Sequence, residues 1–277
     1  MKKKRLIYSF LIYAVIGTML LKASPPDGYK LVWSDEFSHV GRPPDVANWG
    51  YDLGHSGWGN EELENYVDDR SHALIVADAR ATDGAALQIS ATREASGEYK
   101  SARLKTQGKY AVQYGFIEAR ICRPEGQGIW PAFWMLGANF EKAGWPQCGE
   151  VDIMESPGKL TWSHRSQGVV HDPAYFGAEA LKGDFILKGK PFSEGYHLFQ
   201  VKWEPDALEF FVDGKFFERR TAEEIGAENW SFNQPMFFLL NVAIGGGWPG
   251  NPDGTTVFPQ KMLVDYIRVY QKREKAQ

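Results

Sequence analysis

The sequence predicts an all-β fold, a sandwich or barrel of short strands. Three observations carry this. Polar and apolar residues alternate in short runs such as Tyr196-His197-Leu198-Phe199-Gln200-Val201-Lys202-Trp203, the period of a strand with one buried face. Turn residues separate the runs, with 29 glycines among 277 residues. Helical periodicity is scarce.

In chain order, Leu87 to Thr92 and Gly115 to Ile121 read as strands, followed by Tyr196 to Trp203. Leu208 to Val212 and Lys215 to Glu218 flank Asp213-Gly214, a dipeptide that favours a two-residue hairpin. Ala222 to Ala227 reads as one turn or a short helix. Pro235 to Ile244 is apolar enough for a buried strand, and Lys261 to Gln271 closes the series. Many short strands with Gly-rich turns and no linker or repeat over residues 28–273 indicate a single domain.

Composition narrows the function. Hydrophobic residues make up 43% and aromatics 14%, with ten Trp, enough for one core and for rings on which sugars stack. Lys2-Lys3-Lys4-Arg5 followed by the apolar run Leu6 to Leu21 reads as a signal peptide spanning residues 1–24; an uncleaved anchor is the alternative. Small residues Ala23 and Ser24 before Pro25 suit cleavage, leaving 25–277 as the domain, secreted or periplasmic, with no stable membrane association. Removing residues 1–24 takes away five basic residues and no acid, so the formal charge moves from −4 to −9. Such a protein is a poor nucleic-acid binder. Cys122 and Cys148 are the only cysteines and make no disulfide framework, although secretion would allow a bridge. Cys148 is expected to be a packed thiol rather than a nucleophile.

Glu150-Val151-Asp152-Ile153-Met154-Glu155 places three carboxylates within six residues. Alternation puts Glu150 and Asp152 on one face and Glu155 on the other. A β-bulge at Ile153-Met154 would return Glu155 to its companions, and bulges are common beside active sites. The two glutamates then stand roughly 13 Å apart along the backbone at ~3.3 Å per residue. Side chains leaning together can approach the roughly 5–5.5 Å carboxyl separation of retaining glycosidases. Three crowded acids cannot all ionise freely, so at least one should stay protonated and act as a general acid. A solvated acidic face is the plain alternative, but Trp145, Pro146 and Gly149 do not look like an exposed edge.

The segment Gly144 to Glu155 resembles the active-site strand of glycoside hydrolase family 16, in its laminarinase branch. Similar segments recur in order: Leu31 to Phe37, Gly57 to Glu64, Gly128 to Gly137, Leu240 to Gly250 and Val264 to Tyr270. The Gly57 loop departs from the family's usual two asparagines, with Glu61 at the second. The resemblance implies a β-jelly-roll sandwich of two curved antiparallel sheets, concanavalin-like, with a sugar cleft on the concave face. It implies an endo-acting β-1,3-glucanase. Mixed-linkage glucanase, another polysaccharide hydrolase or a transglycosylase of the same family is the alternative. A noncatalytic β-glucan lectin would lack the acids present here.

By position in the matched motif, Glu150 is the expected nucleophile, Glu155 the acid/base, and Asp152 the group that sets their protonation. Trp130 and Trp134, four apart on one strand, share a face, either cleft or core. Trp145 and Trp248 adjoin glycine and proline and are further candidate sugar platforms. Asn60 and Glu64 lie in the loop that resembles a subsite loop, or simply cap it. Arg103, His171 and Asn241 complete the candidate substrate contacts; for Arg103 a surface ion pair and for His171 a structural role are the alternatives. No cofactor is required. The resemblance also implies a structural calcium ion near Glu36 and Asp265, in the first and last strands. A monomer acting on β-glucan is expected.

Overall fold

The computed structural model describes residues 25–273; the signal-peptide reading of residues 1–24 lies outside the described residues. Two sheets pack face to face. The seven-stranded sheet runs in the order Leu181–Ile186, Arg165–His171, Glu150–Glu155, Ile129–Gly137, Met236–Ile244, Arg103–Lys105 and Gly50–Asp52. The ten-stranded sheet is centred on Gly115–Cys122 and Gln260–Lys272, with the Ala207–Val212 and Lys215–Thr221 hairpin at one end. Pairing is antiparallel except between Glu64–Tyr66 and Tyr99–Ser101. This is the jelly-roll sandwich.

Strand alternation divides the seven-stranded sheet into a core face and an open face. Phe133, Met135, Val151, Phe238, Leu240 and Val242 join the core between the sheets. Ala132, Trp134, Leu136, Phe237 and Leu239 form a separate cluster on the other face. All of Met236–Ile244 is buried: Met236, Phe238, Leu240, Val242 and Ile244 face the core, while Phe237, Leu239, Asn241 and Ala243 lie at the bottom of the open face.

The predicted hairpin forms with Val212 opposite Lys215. Asp213 (φ 51°) and Gly214 (φ 72°) both take positive φ, as a turn matched to strand twist requires. Ala222–Ile225 is one helical turn, capped by Thr221, whose hydroxyl accepts the Glu224 N–H. Cys122 and Cys148 are free and buried; burial pushes the Cys148 thiol up to about 11, so it is an unreactive packed thiol.

The bulge sits in the Glu150–Glu155 strand. Against the preceding strand, Asp152 faces Trp134 while Met154 faces Phe133, leaving Ile153 as the extra residue. Ile153 and Met154 are both buried in the core. A broken ladder hydrogen bond costs ~0.5–1.5 kcal/mol, whereas each buried apolar side chain contributes ~1.5–3 kcal/mol. Burial therefore outweighs the irregularity, and Glu155 rotates to the open face.

Gly149 delivers the chain into this strand at φ 73°. A Cβ there would lie 3.0 Å from Ser231 Cβ and 3.1 Å from its carbonyl oxygen. Gly149→Ala is expected to destabilise the fold by ~1–3 kcal/mol, read as a lower urea midpoint; an unchanged midpoint would remove this constraint from the account.

Candidate active site

The open face of the seven-stranded sheet floors a cleft of about 820 Å³. Glu150, Asp152 and Glu155 all line it. Burial raises all three carboxyls, and the arrangement around each differs. Glu150 is pushed up to about 8, by burial first and the neighbouring Asp152 second, while His171 and the indole of Trp145 pull the other way. Asp152 rises to about 7 through burial. Glu155 is held well above the usual carboxylate range by burial and then by the charge of Asp152.

Two donor groups face the first two acids. Trp145 Nε1 donates to Glu150 Oε2 at 2.7 Å. His171 Nε2 lies 3.3 Å from Asp152 Oδ2 and 3.9 Å from Glu150 Oε1. Its Nδ1 accepts the Gly177 N–H at 3.1 Å, so the lone pair is on Nδ1 and the proton on Nε2, facing the acids. An Asx turn, in which Asp172 Oδ1 accepts from Ala174 and Tyr175, shapes the loop that carries Gly177. Glu155 has one indole donor, Trp130 Nε1 at 3.2 Å.

Ligand atoms of Glu150, Asp152 and His171 lie within 4.8 Å of one another, close enough to bridge a cation. The proton on Nε2 occupies the position a metal would need, so this set suits hydrogen bonding instead.

Aromatic residues wall the cleft. Trp130 packs edge-on to Trp248 with ring centroids 5.1 Å apart, and Trp248 packs likewise on Trp162 at 5.6 Å. The Arg103 guanidinium sits 4.8 Å from the ring centres of both Trp58 and Trp134, a cation–π sandwich. Its Nε is 3.0 Å from Asp52, which also holds Lys105 at 2.6 Å. Trp134 Nε1 donates to Asn241 Oδ1 at 2.8 Å.

Eight of the expected substrate contacts therefore meet on one surface: Asn60, Arg103, Trp130, Trp134, Trp145, His171, Asn241 and Trp248 all line the cleft. Glu64 does not. It is fully buried, and its Oε2 accepts the Ile244 N–H at 2.6 Å, fastening the loop to the central strand. Glu62 takes the cleft position instead. Positive φ at Trp58, Gly59 and Glu61 breaks alternation just before it. Sequence reading also missed Trp58 and Asp52; the Trp-Gly pair in the loop was the available signal for the first.

The expected calcium pair is engaged by other partners. Glu36 accepts from both Nε (3.0 Å) and Nη2 (2.7 Å) of Arg268. Asp265 accepts from Arg120 and from the Thr82 amide and hydroxyl. A calcium ion needs about six to eight oxygens free of competing cations. Here each carboxylate is neutralised by its own arginine, so these two residues do not fit that ion.

An acid-bearing bulged strand on the floor of an aromatic-walled cleft defines a glycoside hydrolase. The known proteins agree. The family model described as "Glycosyl hydrolases family 16" matches residues 58–268, and the chain belongs to that family. The laminarinase catalytic domain of Thermotoga maritima superposes with a TM-score of 0.81 and 40% identity, covering 90% of this chain and 100% of that one. The endo-β-1,3-glucanase of Pyrococcus furiosus gives 0.80 and 39%, over 89% and 96%. A Rhodothermus marinus protein named beta-glucanase is 36% identical over 98% of this chain and 96% of its own length.

Proposed function

We propose that this protein cleaves β-1,3-linked glucan within the chain, with retention of anomeric configuration. The observation that carries the reading is the convergence of Glu150, Asp152 and Glu155 on one cleft floor through the bulge; similarity to laminarinases supports the substrate. Glu150 attacks the anomeric carbon as Glu155 gives its proton to the departing glycosidic oxygen. The C–O bond breaks, and a glycosyl ester on Glu150 forms. Glu155, now a carboxylate, takes a proton from water, whose oxygen displaces Glu150 and restores the starting state. Trp145 Nε1–H and His171 Nε2–H stabilise the negative charge that Glu150 and Asp152 share between turnovers. Each step uses carboxyl groups alone and requires no metal or organic cofactor.

The enzyme works as a monomer, secreted or periplasmic. Among the described residues no helix is long and apolar enough to cross a membrane.

A panel of laminarin, curdlan, barley glucan, agarose and carrageenan tests the substrate. Laminarin is expected to be cut fastest, into a spread of oligosaccharides. Proton NMR in the first minutes should show the β-anomer of the new reducing end before mutarotation. Preference for agarose would overturn the glucan assignment, and α-anomer first would overturn retention.

A further inference from the structure

At the end of the cleft away from the acids lies a second carboxylate that the mechanism does not use. Glu62 is 9% exposed and lines the cleft. Its Oε1 accepts from Asn60 Nδ2 at 2.9 Å, and its Oε2 accepts from the Tyr66 hydroxyl at 3.2 Å. That hydroxyl accepts from Asn241 Nδ2 at 3.1 Å, and Asn241 Oδ1 accepts from Trp134 Nε1 at 2.8 Å. Trp134 stands directly opposite Asp152 in the sheet. The chain of hydrogen bonds thus runs in one sense, from the indole beside the catalytic acids to Glu62.

We propose that Glu62 is a positioning residue for substrate: as an acceptor-only terminus it orients Asn60, and through Tyr66 and Asn241 the Trp134 ring, so that this end of the cleft offers acceptors to sugar hydroxyls. Asn60 lines the cleft with its Nδ2 held by Glu62, which leaves its Oδ1 to accept from a glucose hydroxyl. Asp52, 3.0 Å from Arg103 Nε and 2.6 Å from Lys105 Nζ, offsets part of the positive charge beside this end. Asn241 lies two strands from the acid strand, roughly 10 Å at ~4.8 Å per strand, so the site grips a sugar remote from the bond that breaks.

Glu64 lies beneath this loop, outside the cleft, where it holds the Ile244 N–H. Two adjacent buried anions would repel. Burial, reinforced by Glu62, pushes the Glu64 carboxyl up to about 9, so Glu64 stays neutral. Tyr66 is raised well above its ordinary value by burial and by both glutamates, so it remains a phenol able to donate.

The proposal rests on the glucan-hydrolase reading, and its test separates the two. Glu62→Gln keeps one acceptor but sets an NH2 against the other donor, Asn60 Nδ2–H or the Tyr66 hydroxyl. It is expected to raise KM for laminarin about tenfold while kcat changes less than twofold, since uniform binding is lost rather than transition-state binding. Asn60→Ala should do the same, and the double variant should be no worse than either single one. Glu64→Gln, a neutral isostere, should leave KM in place. Additive losses, a fall in kcat at constant KM, or an equal rise in KM from Glu64→Gln would overturn the proposal. A readout independent of turnover is the Trp134 indole N–H resonance, assigned with Trp134→Phe; it should move in Glu62→Gln and stay in Glu64→Gln. If the wild type proved inactive on laminarin, the substrate reading would fall, and an unmoved Trp134 resonance in Glu62→Gln would separately overturn the hydrogen-bond chain.

Discussion

Glu150→Ala and Glu155→Ala are each expected to lower glucan hydrolysis by on the order of 10³-fold or more, and azide should restore turnover in the two variants with opposite stereochemistry. In Glu150→Ala the space left by the carboxylate admits a small anion. Azide then attacks the anomeric carbon from the face Glu150 occupied, while Glu155 still protonates the leaving oxygen. One displacement gives the α-glycosyl azide. In Glu155→Ala the nucleophile is intact, so an aryl β-glucan oligosaccharide with a good leaving group still forms the glycosyl ester. Water is then slow without its base. Azide needs none, and the second displacement gives the β-azide. Proton coupling at the anomeric carbon distinguishes the products. The same anomer from both variants would overturn the division of roles, and unchanged hydrolysis by either would remove the site itself.

The local environments explain why the division runs this way. Glu150 receives Trp145 at 2.7 Å and faces the protonated nitrogen of His171, both of which favour its anion. Glu155 has a longer indole contact of 3.2 Å and is raised by the charges of both Asp152 and Glu150. The two carboxyls on one strand thereby sit in different surroundings, the arrangement acid/base chemistry needs.

Much of this was legible in the sequence, for identifiable reasons. The acid spacing demanded a bulge, because three costly carboxylates in six residues are tolerated only where they act together. Trp130 and Trp134 had to share a face by strand period, and both line the cleft. Asn241 was the single amide in an apolar strand. What was not legible depended on contacts between distant segments. Glu36 and Arg268 stand 232 positions apart, and Arg120 and Asp265 stand 145 apart; only strand register brings each pair together and cancels the charge a calcium ion would use. Glu62 and Glu64 are one strand period apart and chemically identical. The left-handed backbone around Trp58 and Glu61 decides which of them meets substrate, and local pattern does not encode that choice.

Asp152→Asn should move the whole bell of kcat/KM against pH toward acid, with the maximum lowered by about 10–100-fold. Asp152 is buried between its two neighbours, with 4% of its side chain exposed, His171 Nε2 at 3.3 Å from its Oδ2 and the Glu150 carboxyl hydrogen-bonded to it. Its charge raises both Glu150 and Glu155. Removing that charge lets both ionise more easily. Activity requires Glu150 ionised, so the acid limb moves to lower pH. It also requires Glu155 protonated, so the alkaline limb moves down as well, and the loss is greatest above neutrality. Asparagine cannot share a proton with Glu150, so the order in which the group of acids gives up protons changes too. The limbs report the coupled set in the free enzyme, measured on a short laminarin oligosaccharide at low substrate. A bell that keeps its place while falling in height would mean that burial alone tunes the two glutamates, and that Asp152 serves to orient them rather than to set their charge.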